Sequence, residues 1–247
     1  MDRLIYIAMS GAQQVLQQQA VTAHNLANVT TAGFKADTNA FRVAQVQGPG
    51  LPTRAYAVDT TIGADLGAGA IQQTGRDLDV AIQGDGMLTV QAQDGTEAYT
   101  RGGSLSINAE GELMTRNGMI VLGDGGPIAV PPEARVSIAR DGTVSASAPG
   151  QSAAVTVVGR LKLVNPDRAD LVKGPDGLFR TRGGAPADAD PAVALVPGSL
   201  ESSNVNAVGA MVDMINLARA FDLQMKLLQS VDANAQRAAQ LLAANPA

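Results

Sequence analysis

The 247-residue chain lacks cysteine and tryptophan, contains one histidine, and is only 3% aromatic. The absence of cysteine excludes disulfides, thiol catalysis and cysteine-ligated metals. A core with so few aromatic side chains must be built from Val, Ile, Leu and Ala, which suits β-structure and Ala-rich helix contacts. No apolar run approaches the roughly 20 residues that a membrane-spanning helix needs.

The charge balance argues against two further classes of partner, nucleic acids and anionic membranes. The formal net charge of −5 argues against nucleic-acid binding and against adsorption to an anionic membrane surface. The segment Met1–Ala8 has no basic region leading into an apolar stretch, so we expect no cleaved secretory signal.

The sequence also lacks a recognisable catalytic constellation. His24 has no second histidine to join it, and no phosphate-binding glycine loop occurs; Gly84-Asp85-Gly86 comes nearest but leads into a strand. Carboxylates could form a glycosidase-type pair, for example Asp77 and Asp79. Asp94, Asp141 and Asp176 each precede a glycine, however, and this pattern is typical of turns. We therefore predict no catalytic, cofactor-binding or metal site.

The N-terminal region carries a helical pattern from Leu4 to Asn28. One stripe recurs at alternating three- and four-residue steps, a heptad period. Its members are Ile5, Ala8, Ala12, Val15, Gln19, Thr22 and Leu26. Because several of these are small or polar, and isolated helices of this length are marginal in water, the helix needs neighbours. A helix that simply lies on its own domain would show the same pattern. Asn28 is expected to end the helix, and Gly33 to adopt a positive φ before Phe34.

The helical period returns from about Val208 to Ala244. The second stripe consists of Met214, Ala218, Phe221, Met225, Leu228, Asp232, Ala235, Ala239 and Leu242. Asp232 is the misfit: it sets the register, contacts a neighbour, or marks the stripe turning toward solvent. At about 1.5 Å per residue this helix would be about 55 Å long, longer than covering a domain of this size requires.

The middle of the chain has the pattern of antiparallel β-structure. Leu88, Val90 and Ala92 alternate with polar residues, and turn signals recur without intervening helices, which indicates a sandwich or a small barrel. Asn117-Gly118 predicts a type I′ hairpin turn. The predicted domains are an N-terminal helix (1–35), an extended linker (36–75), a central β-domain (76–198) and a C-terminal helix (199–247).

Three blocks of sequence stand out once both ends are considered together. The first is Ser10-Gly11-Ala12 with Asn25-Leu26-Ala27-Asn28, Thr31 and Gly33-Phe34-Lys35; the second is Asp77–Gly86; the third is Gly198–Asn206 with Met211–Ile215, Arg219-Ala220-Phe221 and Lys226. These blocks resemble the flagellar basal-body rod, hook and hook-associated family of axial proteins. Other segments resemble the proximal-rod member of that family: Met1–Tyr6, Gly125–Pro131, Ile138–Thr143 and Asp232–Leu242.

The resemblance implies an α+β fold whose long N- and C-terminal helices form a coiled-coil pair on assembly, with the central antiparallel β-domain outside it. It implies a non-enzymatic structural subunit of the rod, without cofactors, exported by the flagellar type III apparatus and partnered by copies of itself and by neighbouring rod proteins. The ends would stay largely unfolded in a lone subunit. The predicted assembly residues are Ile5, Ala12, Val15, Asn25, Leu26, Asn28, Gly33, Phe34, Leu200, Asn204, Met214, Ala218, Phe221, Met225, Leu228, Ala235 and Leu242.

Two alternatives stay open at this point. A distal-rod or hook-family paralogue shares the terminal blocks and differs in its position along the axis. A secreted β-domain enzyme or carbohydrate binder would require two carboxylates to converge in a cleft of the middle region.

Overall fold

The computed structural model describes residues 2–45, 55–132, 134–148 and 155–243; side chains are left out at 2–7, 40–45, 55–62, 235, 238, 239 and 241–243. The fold is α+β, and the chain divides into two compact units. The helical unit comprises Met1–Ala27, Asp37–Gly63 and Asn206–Ala247, and the β unit comprises Asn28–Ala36 and Ala64–Val205.

The helical unit is built on two long helices, α1 (Asp2–Ala27) and α2 (Ala207–Ala243), with the paired strands β1 (Asp37–Gln45) and β2 (Ala55–Ala64). The two helices pack against each other. They run antiparallel, since Gly11 faces Gln224 while the end of α1 shares a cleft with Asp213 near the start of α2. The two predicted helices are confirmed, because uninterrupted periodicity between a capping signal and a glycine-rich loop defines helices well.

The β unit centres on β5 (Met87–Gln91), which pairs with β6 (Glu97–Thr100), β9 (Ile120–Gly123) and β14 (Leu163–Val164). These strands belong to a nine-stranded antiparallel sheet. Its other members are β7 (Leu105–Ile107), β8 (Leu113–Thr115), β10 (Gly126–Pro127), β15 (Leu171–Lys173) and β16 (Phe179–Thr181).

Three smaller sheets complete the β unit. One contains β11 (Arg135–Ile138), β12 (Thr143–Ser147) and β13 (Val155–Arg160), with a register shift between Val144 and Ser145. The other two are the pairs β4 (Val80–Gln83) with β17 (Ala194–Pro197), and β3 (Ile71–Gln73) with β18 (Ser199–Glu201). A 3₁₀ turn covers Arg168–Asp170. The two-strand pairs join segments more than a hundred residues apart, so the first strands of the β unit are hydrogen-bonded to its last strands.

The core of the β unit is aliphatic, as the composition predicts. Leu88 and Val90 of β5 join the main cluster, whereas Met87 packs with Tyr99 and Phe179 in a second cluster on the opposite face. Because β5 is central, both of its faces are buried, and even Thr89 is fully enclosed.

The Asp-Gly pairs form separate turns, which confirms that part of the sequence analysis. Asp94, Asp141 and Asp176 each accept a backbone N–H two residues ahead, and the glycine after each has a positive φ. The predicted type I′ turn at Asn117-Gly118 is wrong in its geometry. Gly118 N–H donates to the Thr115 carbonyl and Thr115 N–H to the Met119 carbonyl, so the loop has three residues, of which Gly118 (φ 81°) is the last.

Candidate assembly surfaces

The inner seam of the helical unit is made largely of small and half-buried side chains. On α1 the buried seam positions are Ala8 and Ala12, followed by half-buried Val15, Gln19, Thr22 and Leu26. On α2 Ala210 and Val231 are the most buried, with Met214, Leu217, Phe221, Gln224 and Leu228 half-buried between them. Gly11 allows close approach, because a Cβ there would lie 3.3 Å from Gln224 Nε2. Such a seam holds the helices together without burying much apolar area.

The α2 seam departs from the predicted stripe at three of the six predicted positions whose side chains the structure describes. Met214, Phe221 and Leu228 lie on it, but Ala218 and Met225 are exposed and their seam positions are taken by Leu217 and Gln224. Asp232 is likewise exposed beside buried Val231, so it marks the stripe turning to solvent. Ile5, Ala235 and Leu242 lie on the helices, but their side chains fall outside the described set.

The helices also expose apolar side chains away from the inner seam. On α1 these are Met9 and Leu16, seven residues apart; on α2 they are Val208, Met211, Val212, Ile215, Leu223, Met225 and Leu227, each at least 39% exposed. Groups of exposed apolar residues on one element mark interaction surfaces more often than scattered single ones do. The helical unit therefore has two sets of apolar side chains: one packs in the inner seam between α1 and α2, and the other is exposed on the helix surfaces.

The end of α1 is hydrogen-bonded to the start of β1. The Asn25 side chain donates to the Asp37 carbonyl and accepts the Asp37 N–H, at 2.9 and 2.8 Å. His24 Nδ1 lies 2.6 Å from the Asp37 carboxylate. The single histidine therefore serves as a packing and hydrogen-bonding residue of this junction, the interpretation that the sequence favoured over a ligand.

The segment 28–36 folds as part of the β unit. Asn28 and Thr31 form a local turn, Gly33 (φ 71°) donates its N–H to the Glu201 carbonyl, and a Cβ at Gly33 would lie 2.2 Å from the Arg101 backbone. The positive φ predicted for Gly33 is confirmed, and the close approach adds a second reason for glycine there. Phe34 is half-buried, with the Lys173 ammonium 4.1 Å from its ring centroid.

Asn204 ties the third sequence block to the same segment. Its Oδ1 accepts the Ala36 N–H at 2.7 Å and its Nδ2 donates to the carbonyls of Asp65 and Gly67. Leu200 lies half-buried on β18, opposite Gln72 of β3. The first and third blocks are thus neighbours within the β unit, although they are about 170 residues apart in sequence.

A buried charge cluster joins these segments. Lys35 Nζ lies 2.6 Å from Glu201 Oε1 and donates to the Gly67 carbonyl, while Arg101 Nε lies 3.2 Å from Glu201 Oε2. The guanidinium also donates to the carbonyls of Gly84 and Gly86. Burial lowers the pKa of Lys35, although the bond to Glu201 opposes the shift. Removing one member of such a pair leaves the other charge buried without compensation.

Sequence reasoning missed this cluster as a site. Lys35 and Glu201 both stood inside the recognised blocks, but nothing in a single sequence pairs residues 166 positions apart. The available signal was that Lys35 and Glu201 are each the one charged residue of their block, Asn25–Lys35 and Gly198–Asn206. Leu217 and Gln224 were missed for a different reason. Two adjacent stripes on one helix have the same spacing and differ only in the residue at which they start, so the spacing alone does not choose between them.

Within the described residues, no cluster of His, Asp and Glu has the geometry of a metal site, and no helix is long and apolar enough to cross a membrane. The carboxylates of Asp94, Asp141 and Asp176 are each hydrogen-bonded within their own turn, the role that the sequence analysis favoured over a catalytic one.

Comparison with known proteins identifies the class. Three family models match: the flagella basal body rod protein family over residues 5–35, the flagellar hook protein FlgE/F/G D1 domain over 81–146, and the flagellar basal body rod FlgEFG protein C-terminal family over 196–241. They fall on the three blocks recognised in the sequence and describe rod or hook proteins. The chain is thus built from the domains of flagellar axial proteins.

Full-length relatives narrow this class. The chain is 52% identical to the flagellar basal-body rod protein FlgF of Escherichia coli K12 and 49% identical to that of Salmonella typhimurium LT2, in each case over 98% of this chain and 99% of the relative. The rod protein FlgG of Agrobacterium fabrum is 33% identical over 93% of this chain and 95% of its own length. The chain therefore belongs to the flagellar basal-body rod protein family. It is a structural protein of the flagellar basal body, where it assembles with other rod proteins.

Proposed function

We propose that the chain is a proximal-rod subunit that polymerises through its terminal helices. The observation that carries this proposal is the helical unit itself: an inner seam whose most buried side chains are mainly alanines, beside exposed Met, Val, Ile and Leu side chains. A lone subunit gains little from the inner seam, and neighbours would cover the open apolar positions. The higher identity to the two FlgF relatives (52% and 49%) than to the FlgG relative (33%) supports the proximal position.

On this proposal, α1 and α2 form a coiled-coil wall only in the assembled rod. Ala218 and Met225, exposed on α2, become contacts with other subunits. The ordering of the helices costs conformational entropy that is recovered at the growing tip, which limits premature polymerisation. Copies of the same chain, neighbouring rod proteins and the type III export apparatus are the proposed partners, in a periplasmic rod reached without a cleaved signal. The proposed function includes no enzymatic activity.

The test is a substitution on the open face of α2. Leu223 is 66% exposed, so Leu223→Asp should leave the circular dichroism spectrum of the monomer unchanged and abolish incorporation into purified basal bodies and swimming. Gln229→Asp introduces the same charge at an exposed polar position of the same helix and should assemble normally. Normal incorporation of Leu223→Asp would contradict the proposal.

A further inference from the structure

The buried charge cluster of the β unit carries an unbalanced charge. Lys35 and Arg101 contribute two cations and Glu201 one anion, and all three side chains are at most 5% exposed. An ion of one sign without a counter-ion is unfavourable in a buried environment. Two further acidic groups lie nearby, and both are exposed: Asp65, which acts electrostatically on Lys35, and Asp85, which lines the adjoining cavity and is paired with Arg168 at 2.5 Å.

The two cations also have hydrogen-bond donors to spare. An ammonium group has three N–H donors and a guanidinium five. Lys35 uses two, on Glu201 and Gly67. Arg101 uses two on the carbonyls of Gly84 and Gly86 and turns its Nε toward Glu201. Among the described residues, one N–H of Lys35 and two of Arg101 therefore have no protein acceptor.

Both side chains line one small cavity. Its volume is about 30 Å³, its wall includes Leu66, Met87 and Leu171, and the exposed Asp85–Arg168 pair lies at its rim. A cavity of this size holds a water molecule or a monatomic ion. The rim pair is neutral in sum, so it does not cancel the positive charge behind it.

We propose that this cavity binds a single halide ion, chloride in solution, between the Lys35 ammonium and the Arg101 guanidinium. The ion balances the extra buried cation and accepts the unused N–H groups. It stabilises the packing of segment 28–36 and β18 around Glu201, and this stabilisation is independent of whether the chain assembles as proposed above.

The experiment is thermal unfolding of the full chain at fixed sodium concentration and neutral pH, with chloride exchanged for gluconate, an organic anion much larger than a halide ion. Chloride several-fold above its Kd should raise Tm by about 2–4 °C and gluconate should not. Lys35→Met leaves a neutral Arg101–Glu201 pair and should abolish the difference. Arg180→Gln removes a cation from the exposed pair with Asp176 and should retain it.

A direct measurement covers the case in which Lys35→Met does not fold. Crystals of the unaltered chain grown in sodium bromide should show an anomalous bromide peak in the cavity, within hydrogen-bonding reach of Lys35 Nζ. Equal Tm values in chloride and gluconate, or a cavity that holds water only, would overturn the proposal.

Discussion

The helical unit and the β unit bury their side chains in different ways. In the helical unit the most buried described side chains are Ala8, Ala12, Ala210 and Val231, whereas the main cluster of the β unit is built mostly from Val, Ile and Leu with exposures below 8%. Burying a Val or Leu side chain contributes about 1.5–3 kcal/mol and an alanine much less. The β unit therefore supplies its own stability, whereas the helical unit has apolar surface left to bury.

The largest expected effect concerns the charge cluster of the β unit. Glu201→Leu leaves Lys35 and Arg101 buried without their carboxylate and should destabilise the unit by about 3–5 kcal/mol. Urea unfolding measures the change. Asp176→Asn breaks an exposed pair with Arg180 and should cost at most about 1 kcal/mol. If both variants unfold at the same urea concentration, the cluster does not organise the β unit.

An intermediate effect is expected in the helical unit. Leu228→Asp places a charge on the half-buried inner seam and should weaken the packing of α1 against α2 by about 1–3 kcal/mol, while the amides of β5 and β9 keep their protection from hydrogen exchange. Rod incorporation should be lost. Gln229→Asp, at the adjacent exposed position, should change neither property. Loss of β-strand protection in Leu228→Asp would show that the two units do not differ in the way we describe.

The smallest effect is a pH dependence confined to the β unit. Burial raises the pKa of Tyr99 to about 12 from its ordinary value of 10.0. The folded chain then retains a proton that the unfolded chain has lost, so stability falls as the pH rises from 10 toward 12. Tyr99→Phe should remove this part of the alkaline slope while helix content stays the same. An unchanged slope in Tyr99→Phe would assign the alkaline loss to other groups.

The sequence predicted those features whose signals are local. Helix bounds follow from periodicity between Leu4 and Asn28, and turns follow from the residue pairs that tolerate positive φ, so α1, α2 and the Asp-Gly turns were correct. The residue pair Asn117-Gly118 predicted the position of a turn correctly but not its geometry, because the chain forms a three-residue loop there and not a type I′ turn. The predicted domain boundaries stay predictions.

Features that depend on distant partners could not be read from the sequence. The Lys35–Glu201 pair requires β3 to meet β18, which no single-sequence pattern specifies. The α2 seam runs through Leu217 and Gln224 rather than Ala218 and Met225, because the partner helix decides between stripes that differ by one residue. Which surface meets which neighbouring subunit is a property of the assembly and not of one chain.

The most direct test of the account is hydrogen–deuterium exchange of the purified subunit compared with the same chain in isolated basal bodies. We expect the amides of α1 and α2 to exchange rapidly in the subunit and slowly in the rod, whereas those of β5 and β9 are protected in both. Helices protected as strongly as β5 in the lone subunit would contradict the claim that neighbours complete the helical unit.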